Sequence, residues 1–222
     1  ADIAKVIEFL ISDAGASRIV RLFNARWWTR EEIDGEVLVL RHLARRGIRV
    51  AAPVARRDGA WLTTVQAPEG PRQLVAYHYL DGEALIPSRD AVRLGEAVGS
   101  MHRALEDCQL VHPRRELTLR GFLRDSFEAT IAQLSTKNEH RRYLEGLRGR
   151  VLSRAESVGL ASFREGLCHG DVNFSNALRQ ADGQMALFDF EGCGVGILAY
   201  DLAVFRWNQR LFAAPEQIWL DF

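Results

Sequence analysis

Hydrophobic and polar positions alternate through Lys5–Ser12 (KVIEFLIS) and Ser17–Phe23 (SRIVRLF), on either side of Asp13-Ala14-Gly15-Ala16. Two such segments split by a short glycine-containing loop predict a β-hairpin. The pattern then lengthens to a helical one. Thr29 and Glu32 form a capping box, Ile33, Leu40 and Leu43 make an apolar stripe, and Gly47 stands where a C-cap belongs, so a helix is expected from Arg30 to Arg46. Val50–Val54, with Pro53, reads as an edge or a turn. Ala60–Val65 and Leu74–Leu80 read as strands separated by Ala67–Pro71, and Asp81-Gly82 ends this β-rich stretch. Beyond it, Ser88 is expected to cap a helix whose apolar positions are Ala91, Leu94, Val98, Met101 and Leu105. Residues 117–157 predict two or more helices. Asn176–Arg179 and Met185–Asp189 around Ala181-Asp182-Gly183 predict a second hairpin, and Tyr200–Phe212 predicts a last helix. The outline is α+β and bilobal: a small β-rich lobe with one helix, a hinge near Tyr77–Gly82, and a larger, mostly helical lobe. Ligands favour the seam between two such lobes.

Composition narrows the classes. At 47% hydrophobic residues the 222-residue chain is not disordered. No apolar run reaches the ~18 residues of a membrane-spanning helix, so no membrane partner is expected. Twenty-nine basic residues balance 29 acidic ones, which gives no global pull toward nucleic acid. The pairs and triplets Arg41/Arg45/Arg46, Arg56/Arg57 and Arg114/Arg115 read as solvated faces. Cys108, Cys168 and Cys193 lack CxxC partners and read as free thiols in a reducing compartment, Cys168 and Cys193 as small apolar fillers. With no secretory leader pattern, a cytoplasmic location is expected. His102, between Val98 and Leu105, reads as a satisfied core histidine, and Trp27-Trp28 as a lid on the core.

The chemistry concentrates in Cys168–Glu191 (CHGDVNFSNALRQADGQMALFDFE). A loop lets Asp171 and Asn176, five residues apart, point into one space, and the hairpin returns Asp189 beside them. A carboxylate and an amide oxygen are hard ligands of the kind Mg²⁺ accepts. A further carboxylate off the metal can orient a hydroxyl and take its proton, the division of labour that phosphoryl transfer needs. Glu36 falls on the apolar stripe of its helix, where a carboxylate needs a partner, and Arg21 lies inside the apolar strand Ile19–Phe23. Gly192-x-Gly194-x-Gly196 lacks the third glycine spacing of a dinucleotide fingerprint and reads as a sharp turn past the site.

HGDxxxxN, the DFE that closes the hairpin, and Tyr200-Asp201-Leu202-Ala203 resemble the protein-kinase-like phosphotransferases: the aminoglycoside phosphotransferases, choline kinases and type II homoserine kinases. RLFNARWWTREEI and VAAPV resemble the bacterial stress-response kinases of the same superfamily. The resemblance implies a bilobal kinase-like fold with ATP in the cleft and Mg²⁺ as its metal. It implies Asp171 as the catalytic carboxylate, Asn176 and Asp189 as metal ligands, and His169 and Asp201 as braces of the catalytic loop. Tyr79 and Leu80 would be the hinge whose backbone meets adenine. Arg21 and Glu36 stand where the family pairs a strand Lys, which also touches the α- and β-phosphates, with a helix Glu; Arg replaces Lys here. Residues 1–80 would be the nucleotide-binding lobe, without the family's first strand and glycine-rich loop, and 81–222 the catalytic and acceptor-binding lobe, ending before the relatives' further helices. Only a short segment separates Asp189-Phe190-Glu191-Gly192 from Tyr200-Asp201, which favours a small-molecule hydroxyl acceptor over a peptide. The far wall of its pocket is expected from helices around Arg114–Arg150. A stress-response Ser/Thr protein kinase and a non-catalytic nucleotide-binding module are the alternatives. Oligomeric state is left open.

Overall fold

The computed structural model describes residues 6–13, 16–111, 114–135 and 138–222, with the backbone alone at 6–13, 16, 124, 125 and 161. Strands β1 (Val6–Asp13) and β2 (Ala16–Phe23) form the expected hairpin, with Asp13 opposite Ala16. Lys5 and the predicted loop residues Ala14 and Gly15 lie outside the described residues. Helix α1 (Arg30–Arg45) follows. The Thr29 hydroxyl accepts the Glu32 N–H and the Glu32 carboxylate accepts the Thr29 N–H, so two of the helix's orphan donors are satisfied reciprocally. At the other end Gly47 takes a left-handed φ of 77° and Ile48 N–H reaches back to the Leu43 carbonyl.

Strands β3 (Thr63–Ala67) and β4 (Gly70–His78) complete a four-stranded antiparallel sheet of order β1-β2-β4-β3. The predicted break at Ala67–Pro71 shrinks to the turn Pro68-Glu69. Pro71 enters the sheet because its neighbour β2 ends at the Phe23–Gln73 pair, so on that side no ladder bond is lost to its missing N–H. Val50–Val54 does more than turn. Val50 bridges to Leu187, tying the small lobe to the large one, and Pro53 bridges to Tyr77 within the small lobe.

The larger lobe opens with β5 (Glu83–Ala84) and α2 (Pro87–Leu105). Ser88 does not cap α2. Pro87 supplies the preset φ of its first position, and Asp90 accepts the Ile86 N–H. Its stripe of Ala91, Leu94, Val98, Met101 and Leu105 is buried as the spacing required. Next come β6 (Arg115–Leu117), α3 (Leu119–Phe122), a π-helical turn over Leu123–Glu128, α4 (Ala129–Ala132) and α5 (Glu139–Ser157). The chain closes with β7 (Glu165–Cys168), β8 (Ala177–Arg179), β9 (Met185–Leu187), β10 (Gly194–Ile197), α6 (Ala199–Leu211) and α7 (Glu216–Asp221). The second hairpin is β8–β9, with β5 on its edge. The helix expected last, α6, is followed by α7. A mixed sheet of order β6-β10-β7 was not foreseen: its strands are three or four residues long, too short to show alternation. Gly194 and Gly196 are therefore not a turn. They sit inside β10, where any Cβ would meet the β6 backbone.

One apolar cluster runs through both lobes, from Phe23, Trp28, Leu40 and Val75 to Met101, Leu187, Phe190 and Phe205. Trp28 packs edge-on to Phe23, but Trp27 stays exposed, so only half of the expected lid forms. No helix among the described residues is long and apolar enough to cross a membrane.

Candidate active site

The seam between the lobes holds a cavity of about 260 Å³. Ile19, Ala51, Tyr77, Leu178 and Phe188 give it apolar walls, Tyr79 and Leu80 lie at its hinge side, and Arg21, Glu36 and Asp189 close its polar end. Three other hollows among the described residues are larger, about 710, 720 and 280 Å³, yet none is lined by Asp171, Asn176 or Asp189. The second of these lies against α3 and α5, and α3 reaches toward the expected catalytic loop through Phe122, which stacks on Tyr200.

Arg21, on β2, is nearly buried. One guanidinium nitrogen meets Glu36 Oε1 at 3.1 Å, while the other meets Glu191 Oε2 at 3.0 Å and Asp189 Oδ1 at 3.5 Å. The fork explains why arginine can serve here. Its two ends reach acids on opposite sides, Glu36 on α1 and Asp189 and Glu191 on the loop after β9, in a fixed fork that an ammonium lacks. Glu36 is 1% exposed, and its other oxygen has no hydrogen-bond partner among the described residues. Burial pushes its carboxyl above the ordinary range, and Arg21 is the strongest influence pulling it back. Tyr77 donates its hydroxyl to Glu36 Oε1 at 3.2 Å. Burial, reinforced by the Glu36 charge, raises that phenol well above its usual value, so it remains a donor.

The loop after β7 is held from several sides. Asp201, at the start of α6 and fully buried, accepts the His169 and Gly170 N–H groups at 2.8 Å each, and His102 donates to it at 2.8 Å. Gly170 has φ 88°, and a Cβ there would run into the Gly192 carbonyl, so only glycine lets this loop pass the next one. The His169 ring donates through Nε2 to the Phe188 carbonyl at 3.0 Å and accepts the Asp171 N–H at Nδ1. It also packs on Phe190. Burial lowers its pKa, in keeping with the neutral ring that this bonding requires. Asn176 donates its amide to both the carbonyl and the carboxylate of Asp171, each at 2.8 Å. That amide nitrogen is thereby committed to Asp171, and the amide oxygen is turned the other way. Asp189 stands in a left-handed conformation with φ 61°, its carboxylate 42% exposed. A left-handed aspartate persists only where its surroundings hold it.

The structure thus brings Asp171, His169 and Asn176 into one hydrogen-bonded loop, and Arg21, Glu36 and Asp189 into one charged cluster at the polar end of the cavity. Four contributors were not foreseen there. Tyr77 lies two residues after the buried Val75 in the alternating register of β4, which was the available signal. His102 reads correctly as satisfied, but its partner is Asp201. Glu191 was noted only as part of the DFE close. Arg114 corrects the reading of Arg114/Arg115 as a solvated pair. It is 7% exposed and donates to the carbonyls of Glu32, Phe190, Glu191 and Cys193. A dibasic step carries no sequence signal of that. Arg115 does face solvent, over the Trp28 ring. Cys168 and Cys193 are buried free thiols, with Cys193 pushed up to about 12 chiefly by burial, as fits their reading as fillers.

Among known proteins, a sequence model described as the phosphotransferase enzyme family matches residues 7–219. A homoserine kinase of Rhodospirillum rubrum is 34% identical over 202 residues, covering 88% of this chain and 58% of the relative. An amicoumacin kinase in complex with AMP-PNP, Ca²⁺ and its substrate superposes with a TM-score of 0.73 at 19% identity, covering 94% of this chain and 65% of that one. A microcompartment-associated aminopropanol kinase superposes at 0.71 with 20% identity, covering 98% and 72%. The chain spans 48% to 59% of the length of the curated relatives it matches.

Proposed function

Because the chain belongs to the phosphotransferase enzyme family, we propose that its cleft carries out ATP-dependent transfer of the γ-phosphoryl group to a hydroxyl of a small molecule. The observation that carries this reading is the convergence at one end of an apolar cavity. A guanidinium is anchored on a buried glutamate, a partly exposed carboxylate lies beside it, and an Asp–Asn pair occupies the adjoining loop. The donor set suits a small divalent cation: the Asp189 carboxylate and the Asn176 amide oxygen are hard oxygens of the kind Mg²⁺ takes, with phosphates and water completing the shell. Such a cation, when bound, neutralises phosphate charge and aligns the transferred group.

In this reading Tyr79 and Leu80 offer their backbone to adenine between Ile19, Ala51, Leu178 and Phe188. Arg21 turns its outer nitrogen from Asp189 and Glu191 toward the α- and β-phosphates while Glu36 keeps the inner one. Asp171 orients the acceptor hydroxyl and takes its proton. Asn176 fixes that carboxylate, and His169 and Asp201 hold the loop beneath it. Residues 1–80 serve the nucleotide and 81–222 the acceptor. The acceptor class is supported by the short run from Glu191 to Ala199, which the strand β10 fills and which leaves no long segment to cradle a peptide. The names of the homoserine and aminopropanol kinases favour an amino alcohol or hydroxy amino acid.

ATP consumption with Mg²⁺ across amino alcohols, hydroxy amino acids, sugars and aminoglycosides tests the reading. Asp171→Asn should keep nucleotide affinity and lose roughly 10²–10⁴-fold in turnover, whereas Asp189→Ala should lose Mg²⁺-dependent nucleotide binding. Equal loss of affinity in both variants would reject the division of roles, and label transferred from ATP only to proteins would replace the small-molecule acceptor.

A further inference from the structure

Arg114 lies just before β6, outside every motif described above, yet like Arg21 it joins two parts of the site, α1 and the loop after Asp189. Its Nε donates to the Cys193 carbonyl at 2.9 Å, one terminal nitrogen donates to the Glu32 carbonyl, and the other meets the Phe190 and Glu191 carbonyls at 3.2 and 3.3 Å. Glu32 is in the first turn of α1, one turn before Glu36. Phe190, Glu191 and Cys193 are in the loop that follows Asp189. Three of the four carbonyls after that left-handed aspartate are therefore held by one guanidinium. The stem of Arg114 is also shaped to its place: a Cβ on Gly35 of α1 would stand 2.8 Å from Arg114 Cδ. That atom cannot swing aside, because the guanidinium beyond it is anchored on four carbonyls. Gly35 sits mid-helix, where glycine is disfavoured, and the close pass of Arg114 is what occupies the space.

We propose that Arg114 is a positioning residue that locks α1 to the Asp189 loop, so that the Glu36–Arg21 pair and the Asp189 carboxylate face nucleotide phosphate and divalent cation in one arrangement. Only a planar fork with five donors can serve both elements at once; lysine can reach one or the other. Without it α1 and the loop still fold, but Asp189 is no longer fixed relative to the phosphate-binding end, and metal-dependent binding weakens while metal-independent contact with the nucleotide stays. This inference rests on the phosphotransferase reading.

The test is equilibrium binding of a ribose-labelled fluorescent ADP to the full chain, titrated with Mg²⁺ and repeated in EDTA. Arg114→Met should raise the Mg²⁺ concentration needed for half of the metal-dependent gain in affinity by roughly 10–100-fold, the usual effect of removing a group that orients a metal ligand. Affinity in EDTA should not change. Arg114→Lys should restore little. Gly35→Ala favours the helix yet displaces the Arg114 stem; it should shift the Mg²⁺ requirement in the same direction with circular dichroism intact, and it decides the matter if Arg114→Met does not fold. An unchanged Mg²⁺ requirement in the folded variants overturns the positioning role, even if their melting temperatures fall. Wild-type protein that binds no nucleotide with or without Mg²⁺ overturns the phosphotransferase reading and this inference with it.

Discussion

His169 shows how one residue ties a motif to its physics. Both ring nitrogens are used, one as donor to Phe188 and one as acceptor from Asp171, and a proton on Nδ1 would break the second bond. Burial lowers its pKa, against the opposing pull of Asp201, Asp189 and Asp171. The sign follows from linkage. Below the ordinary histidine pKa the unfolded chain takes up a proton that the folded chain refuses, so stability falls as pH drops from about 6.5 toward the depressed folded value. The slope contributed is at most about 1.4 kcal/mol per pH unit. Urea unfolding of wild type and His169→Asn between neutral pH and pH 5 checks it: the difference between the two curves should narrow as the pH falls. A difference that stays constant would mean His169 protonates alike in both states.

At the scale of elements, α1 is the part on which most of the site depends. Its capping box sets where the helix starts, its apolar stripe sets which face is buried, and those two together put Glu36 inward beneath Arg21. Thr29→Ala removes the side-chain acceptor for the Glu32 N–H and should lower unfolding free energy by about 1 kcal/mol, read by urea denaturation. No loss would mean the cap contributes nothing to the folded state. Elements with a full period were legible in the sequence, the first hairpin, α1, α2 and α6, and the short second hairpin was legible through its Ala181-Asp182-Gly183 turn. The sheet of β6, β7 and β10 was not, because three or four residues cannot display a period and glycines read as turns. Ser88 misled for a similar reason. A capping residue type is only a candidate until the backbone shows who accepts which N–H, and here Pro87 and Asp90 make the start of α2.

Across the whole molecule the cavity draws on both lobes, with Ile19, Arg21 and Tyr77 from one and Leu178, Phe188 and Asp189 from the other. A nucleotide bound there must stabilise the chain as a unit. At about 100 times its dissociation constant, ATP with Mg²⁺ adds about 2.7 kcal/mol, which for a chain of this size is a rise of roughly 5–10 °C in melting temperature. Thermal unfolding monitored by intrinsic fluorescence would show it. A melting temperature indifferent to ATP and Mg²⁺ would leave the cleft without a nucleotide.

Local order along the chain determined where the helices and hairpins begin, that Asp171 and Asn176 share a loop, and that Glu36 faces inward. These follow from periodicity, caps and short spacings, which act between neighbours in sequence. Arg21 was the partner expected for Glu36, and only the tertiary structure decided that Tyr77, 41 positions away, shares the same carboxylate oxygen. It also decided that Arg21 is divided among three acids and that Asp201 holds His169, Gly170 and His102 together. Arg114 is the sharpest case. Beside Arg115 it looks like surface charge, and it is buried because folding brings four carbonyls from two distant segments within reach of one guanidinium. Backbone carbonyls are the same at every residue, so no pattern of side chains could have announced them.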